Sequence, residues 1–246
     1  MITAIIQART SSNRLPNKVL LPLGESTVLE QVIDRVKKAK NIEKIVVATS
    51  TDKSDDKIVE LCKKINVGVF RGSMDDVLGR YYEAAKEFKA TDICRITSDC
   101  PLIDPVIIDK VVDEYNQKEC DYASNSHPVA TFPDGLDVWV FSFEALEKSY
   151  KEATLESERE HVTSYIWNHP ESFKVCSVEN SKDQSEYRLT IDEEKDYELI
   201  KTIFNKADIS STDSIIKFLD ENPDISNLNK SINRDEGYKK SVEKDN

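Results

Sequence analysis

Between Arg9 and Lys18 the chain places three cations, Arg9, Arg14 and Lys18, in the run Ala8-Arg9-Thr10-Ser11-Ser12-Asn13-Arg14-Leu15-Pro16-Asn17-Lys18. Small hydroxyl and amide residues fill the gaps. A turn of this composition can aim backbone N–H groups at an anion while the guanidinium and ammonium groups add charge. The first 44 residues carry eight basic and four acidic side chains, in a chain of 246 residues whose formal net charge is −12. That asymmetry suits a polyphosphate site, although composition alone fits a solvated surface loop equally well.

Two aspartates offer the complementary chemistry. Asp99 comes two residues after the apolar run Asp92–Thr97, at the mouth of a sheet, where a metal-ligand role is the sharper reading and a turn-forming role the plainer one. Asp192 follows Arg188-Leu189-Thr190-Ile191 and precedes a helix pattern, so on its own it reads as an N-cap. If its strand joins the same sheet, it would face Asp99 and supply two carboxylates for Mg²⁺, which takes few protein ligands and fills its octahedron with water and phosphate oxygens. Arg71 and Ser73 flank Gly72 after a third apolar run and offer donors to a base or ribose; Ser73 also suits an N-cap with Asp75 and Asp76 in the first turn. Asp104–Pro105 reads as a helix start with Pro at the first position. Cys100 has no histidine at a fixed relation to it and reads as a small buried thiol. His127 precedes a proline in a loop, His161 sits beside Arg159 and Glu160, and His169 marks a helix end; for each, a structural hydrogen bond is the plainer reading.

The elements that must position these groups alternate from the start. Thr3–Gln7, Lys44–Thr49, Val67–Phe70 and Asp92–Thr97 are short runs rich in Ile and Val, as buried strands are. Between them, Val28, Val32, Val36 and Ala39 recur at helical spacing, as do Ile58, Leu61, Cys62 and Ile65, then Tyr81, Ala84, Ala85 and Phe88, then Ile108, Val111, Val112 and Tyr115. Right-handed crossovers between such units give a doubly wound α/β sheet that is mostly parallel, with ligands outside the carboxyl ends of its strands. From Asp121 to Val140 the alternation breaks, and the segment reads as strands leaving that sheet. Helices are expected at Phe143–Tyr150, Glu158–Trp167, Glu193–Asn205 and Thr212–Leu219, strands at Phe173–Val178 and Tyr187–Ile191, and a frayed polar end after Asn233.

Composition excludes several classes. A pI near 4.9 argues against a general nucleic-acid binder. No apolar run approaches the roughly 20 residues that span a bilayer, and Met1–Ile6 is too short for a signal-peptide core. With six glycines there is neither GxGxxG nor GxxxxGK[ST]. Five cysteines form an odd set without a CxxC pair, so neither a disulfide framework nor a zinc site is expected, and a reducing cytoplasm is the default setting.

The ordered set of motifs resembles the CTP-dependent cytidylyltransferases, the group that contains the CMP-sialic acid and CMP-Kdo synthetases, and within it the spore coat polysaccharide biosynthesis protein F-type branch. The motifs are IIQARTSSNRLPNKVL (Ile5–Leu20), Ile45–Ser50, Phe70–Arg80, Arg95–Pro105, His127–Phe141, Glu158–Ile166 and Arg188–Tyr197. They extend the resemblance to about Tyr238. One position departs: Trp139 stands where the pattern has an acidic residue. The resemblance implies transfer of CMP from CTP to a sugar acid or a phosphorylated compound, with release of pyrophosphate, in surface polysaccharide precursor synthesis. It implies a Rossmann-like nucleotidyltransferase core over 1–238, with a small inserted lobe near 125–175 for the acceptor and for a homodimer, and a flexible tail at 239–246. Arg9, Arg14 and Lys18 would hold the triphosphate, Arg71 and Ser73 the base and ribose, and Asp99 and Asp192 Mg²⁺, with Arg9, Lys18 and Asp99 catalytic. His127, Pro133, Gly135, Asp137, Arg159, Glu160 and His161 would lie on the acceptor side. No nucleic acid or membrane partner is implied. A nucleotide-sugar glycosyltransferase is a rival that lacks its usual Asp-x-Asp here; a silent nucleotide-binding scaffold is another.

Overall fold

The run Ile2–Gln7 is apolar on both faces because it has neighbours on both sides. In the computed structural model, which describes residues 2–245, it pairs in parallel with Lys44–Ser50 on one flank and with Asp92–Thr97 on the other. The strands are β1 (Ile2–Gln7), β2 (Pro22–Leu23), β3 (Ser26–Thr27), β4 (Lys44–Ser50), β5 (Gly68–Gly72), β6 (Asp92–Thr97), β7 (Tyr122–Ser124), β8 (Trp139–Ser142) and β9 (Val175–Ser177). The helices are α1 (Val28–Val36), α2 (Asp56–Lys64), α3 (Val77–Phe88), α4 (Pro105–Lys118), α5 (Phe143–Glu152), α6 (Glu156–His161), α7 (Ser164–Asn168), α8 (Glu194–Lys206), α9 (Thr212–Glu221), α10 (Pro223–Ser226) and α11 (Glu236–Lys244).

Seven strands form one sheet in the order β5-β4-β1-β6-β8-β7-β9, and β2 pairs with β3 apart from it. Alternate residues feed opposite faces, as strand geometry requires. Ala4, Ile6, Cys94 and Ile96 pack under α1, α4, α8 and α9, while Ile5, Ala48 and Ile93 pack under α3, α5 and α7. Asp104 caps α4 with Pro105 at its first position, as expected, and the same carboxylate takes the Thr212 N–H and hydroxyl, tying α9 to α4.

Several expectations are corrected. The segment Asp121–Val140 does not leave the sheet: β8 adds antiparallel to β6, and β7 and β9 extend that edge. The pattern Glu158–Trp167 is two helices, broken where Val162 adopts φ 63°. Tyr187–Ile191 makes only the single bridge Asp134↔Arg188. The polar end is helix α11 up to Lys244; Asn246, like Met1, lies outside the described residues. Cys120 and Cys176 form a disulfide, because the parallel pairing of β7 with β9 brings their Cα atoms to 6.2 Å. No helix among the described residues is long and apolar enough to cross a membrane.

Candidate active site

Strand order reverses between β1 and β6, which puts the crevice over the carboxyl ends of those two strands. A cleft of about 480 Å³ opens there, lined by Gln7, Ala8 and Arg9 after β1, Ser98 and Asp99 after β6, and Arg14, Lys18 and Asp192.

The loop after β1 is fixed from beneath. Asp55, wholly buried, accepts from the Thr10 N–H (2.8 Å) and hydroxyl (2.8 Å), and from Thr49 Oγ1, Ser50 N and Ser50 Oγ. Burial alone would raise its pKa, but the Ser50 and Thr10 hydrogen bonds prevail and hold it below the usual value. Leu15 and Val19 anchor the far end of the loop in the core. The result is a pinned arc whose cations face the cleft.

Lys18, Asp99 and Asp192 meet at one point. Lys18 Nζ donates to Asp99 Oδ2 at 2.6 Å, to Asp192 Oδ1 at 2.8 Å and to the Ile191 carbonyl at 2.9 Å. Arg14 Nη2 also lies 2.8 Å from Asp192 Oδ1. Burial would raise the Asp192 pKa, but Lys18 and then Arg14 and Arg188 carry it down to about 2. Burial would lower the Lys18 pKa, and the two carboxylates raise it instead. Asp192 does not cap α8; Glu193 holds that position, and the Asp196 carboxylate takes both backbone N–H groups. Among the described residues no group of three or more His, Cys, Asp or Glu could hold a metal, so any ion here would take two protein carboxylates.

A second cleft of about 280 Å³ adjoins the first, sharing Gln7, Arg14, Thr97, Asp99, His161 and Asp192. Its charges are mostly paired. Arg188 bonds to Asp134, Asp192 (2.9 Å) and Asp196 (3.0 Å), and Arg234 bonds to Asp137. Burial, then mutual repulsion, pushes the Asp134 pKa up to about 7, and burial raises Asp137 as well. The turn carrying both aspartates needs Gly135: its φ is 97°, and a Cβ there would stand 2.6 Å from the Leu189 carbonyl carbon.

The helix α11 forms the roof of both clefts. Gly237 lines both, Lys240, Ser241 and Lys244 line the first, and Tyr238 with the N-cap Asp235 lines the second. Ser241 is buried and bonds to His161 Nε2 (3.0 Å) and Glu160 Oε2 (2.6 Å).

Of the residues singled out in the sequence, Arg9, Arg14, Lys18, Asp99, Asp192, Glu160, His161, His127 and Asp137 line these clefts. Arg71 does not. Its guanidinium is held by the Ser50 carbonyl (2.9 Å), the Asp52 carbonyl (2.8 Å) and Asp56 (2.7 Å), as a clamp on the β4–α2 connection. Ser73 also lies outside; its hydroxyl takes the Asp76 N–H, and Asp76, not Ser73, caps α3. Arg159 grips Asp76 and the Tyr150 carbonyl instead of facing the acceptor side. Pro133 and Gly135 shape the turn without lining the cleft. His127 stacks on Trp167 with ring centroids 4.4 Å apart, and burial lowers its pKa. The Cys100 thiol is buried and bonded to Thr97, its pKa raised well above the usual value by burial and by Asp99, which fits a packing role.

Four cleft arginines carried no role in the sequence reading: Arg80, Arg95, Arg188 and Arg234. Arg80, within the motif Phe70–Arg80, is 2% exposed on the wall of the first cleft and donates only to the Ser73 and Met74 carbonyls. Burial lowers its pKa. An arginine in a motif that ends just inside a helix was the available signal.

A cytidylyltransferase family model matches residues 3–225. An uncharacterized protein of Methanocaldococcus jannaschii is 44% identical over 246 residues, covering 98% of this chain and 99% of its own length. The spore coat polysaccharide biosynthesis protein SpsF of Bacillus subtilis is 36% identical over 234 residues, covering 91% of this chain and 95% of its own. The solved structure of a cytidylyltransferase from Leptospira borgpetersenii serovar Hardjo-bovis superposes with a TM-score of 0.86 at 40% identity, covering 92% of this chain and 96% of that one.

Proposed function

Since the chain belongs to the cytidylyltransferase family, whose members are CTP-dependent nucleotidyltransferases, we propose that it transfers CMP from CTP to a hydroxyl of a sugar acid and releases pyrophosphate, in the synthesis of a surface polysaccharide precursor. The observation that carries this reading is the convergence of Lys18, Asp99 and Asp192 at the β1–β6 switch point, between a cation-rich cleft and a second, adjoining one.

The first cleft is the nucleotide's. Arg9, Arg14 and Lys18 surround the triphosphate from the pinned loop, and Arg80, not Arg71, is the buried donor beside the base or ribose. The second cleft presents the acceptor. The acceptor oxygen forms its bond to the α-phosphorus as the bond to the pyrophosphate oxygen breaks. The protein contributes alignment and charge neutralisation, not a covalent intermediate.

Mg²⁺ fits the residues present. Asp99 and Asp192 both reach one Lys18 nitrogen, so their oxygens converge, and a sparse set of hard oxygen ligands is what this ion takes beside phosphate. The chemistry supplied by the bound ion is screening of the charge that builds on the phosphate oxygens. Lys18 Nζ, which donates to both carboxylates, would hold them oriented for such an ion.

The test is pyrophosphate release from CTP and Mg²⁺ with a panel of sugar acids and sugar phosphates, with product masses recorded. A CMP-linked product from a sugar acid is expected. A CDP-linked product only, or turnover of a UDP-sugar with no release from CTP, refutes the reading. The homodimer implied by the family is checked in the same preparation by light scattering.

A further inference from the structure

Arg95 sits on β6, 5% exposed, on the wall of the second cleft. A buried guanidinium normally has a carboxylate, and the others in this cleft do: Arg188 has three and Arg234 has Asp137. Arg95 has none within ion-pair distance among the described residues. Its Nε donates to Gln7 Oε1 at 3.2 Å, and its terminal nitrogens make no hydrogen bond among those residues. What supports it is a ring: Arg95 lies 4.2 Å from the centroid of Trp139, its register partner across the β6–β8 pairing. The Trp139 indole N–H is itself buried without an acceptor. An unpaired cation and an unsatisfied donor therefore stand side by side, beside Gln7, Thr97 and Asp99 at the join of the two clefts.

We propose that the Arg95 guanidinium, set over the Trp139 ring, is the docking point for a carboxylate of the acceptor, and so the residue that selects an acid over a neutral sugar. This inference rests on the acceptor reading above. A guanidinium supported on one face presents its edge, and that edge matches the two oxygens of a carboxylate. Asp134 and Asp137 line the same cleft already paired with Arg188 and Arg234, so the Arg95 charge is left to a singly charged ligand, and the paired carboxylates can still accept hydrogen bonds from its hydroxyls. Trp139, the neutral neighbour of Arg95 across the strand pairing, leaves the Arg95 charge for the ligand.

The chain has two tryptophans, Trp139 and Trp167, and both line this cleft, so intrinsic fluorescence reports its occupancy without turnover. The probes are a 2-keto-3-deoxy sugar acid, its methyl ester and a sugar phosphate, titrated into the full chain. Wild type is expected to respond to the acid at least tenfold more tightly than to the ester. Arg95→Gln should lose that preference, with CTP binding by calorimetry retained as the control for folding. Trp139→Glu supplies an internal carboxylate and should abolish acid binding, whereas Trp139→Phe should keep it. Equal binding of acid and ester by wild type, acid binding unchanged in Arg95→Gln, or tighter binding of the sugar phosphate than of the acid would overturn the proposal. Acid binding through Arg95 without a CMP-linked product would leave this inference standing and remove the proposed reaction. Product formation at an unchanged acceptor KM in Arg95→Gln would do the reverse.

Discussion

The two adjoining clefts use charge in opposite ways. In the first, Arg9 and Arg80 face the space with no carboxylate partner among the described residues, and Lys240 and Lys244 look across from α11. In the second, Arg188 and Arg234 are neutralised by Asp134, Asp137, Asp192 and Asp196, and among the described residues Arg95 has no carboxylate within ion-pair distance. Charges paired within the protein cancel at a distance, while unpaired ones in a low-dielectric cleft set its potential. One cleft is thus prepared for a polyanion and the other for a ligand with a single charge and many hydroxyls. Lys18, Asp99 and Asp192 form the seam, where a strong field and a balanced one meet.

The harshest way to break this contrast is at the seam. Asp99→Asn removes one of the two convergent carboxylates and leaves the fold untouched, since Asp99 is half-buried and bonded through its side chain chiefly to Lys18. Turnover should fall by about 10²–10³ or more, judged from other electrostatic sites. Pyrophosphate release and a melting curve on the same sample decide it: wild-type turnover in the folded variant removes Asp99 from the chemistry. A smaller effect separates Arg80 from Arg71. Arg80→Gln should raise the KM for CTP by about tenfold, the scale of one lost charged hydrogen bond. Arg71→Ala should lower the melting temperature by loosening the β4–α2 clamp while CTP-over-UTP preference stays as it was. The reverse pattern would return base reading to Arg71.

Much of this arrangement was legible in the residues. The Ile and Val runs of β1, β4 and β6 are buried on both faces and could only be inner strands, and the groups two residues past their ends had to sit at the crevice. Arg9 and Asp99 lie there. Arg71, too, nears the end of a strand, but β5 is the sheet edge, and its guanidinium turns back to the loop after β4. Asp55 was invisible: its worth lies in five donors contributed by Thr10, Thr49 and Ser50, and no spacing rule joins Thr10 to a residue 45 positions on. Helix α11 was read as a frayed end because its own pattern is polar. Its place is set by tertiary contacts, the Ser241 hydroxyl on Glu160 and His161 and the Arg234 side chain on Asp137, which periodicity does not encode. Likewise β7 and β8 are too short to announce which sheet they join; the pairing of Arg95 with Trp139 decides it.

Those α11 contacts sharpen the contrast further. Asp137→Asn weakens the Arg234 pair at the acceptor end of the roof without touching the nucleotide end. The KM for the acceptor should rise severalfold while the KM for CTP is unchanged, as steady-state titration of each substrate would reveal. A matching rise in both would mean that the two clefts are not functionally separate.

The mildest test uses two groups whose titrations oppose each other across the seam. Burial lowers the His161 pKa to about 4, with Arg95 adding to it and Glu160, Asp235 and Asp245 opposing. Its unfolded value is near 6.5, so between about 4 and 6.5 the unfolded chain binds the extra proton and stability rises with pH. Asp134 is raised to about 7 by burial and by Asp137, against Arg188 and Arg234. From its unfolded value near 3.9 up to about 7, the native state holds the extra proton, so stability falls with pH. Each slope approaches about 1.4 kcal/mol per pH unit, and over their common window the two cancel. In His161→Gln the Asp134 contribution is left alone, so urea midpoints should decline from pH 4.5 to 6.5 relative to wild type. In Asp134→Asn the His161 contribution is left alone, and the midpoints should climb over the same range. Parallel profiles in all three proteins would mean that neither group is buried in the charge state described, and that the second cleft is wetter and less balanced than its ion pairs imply.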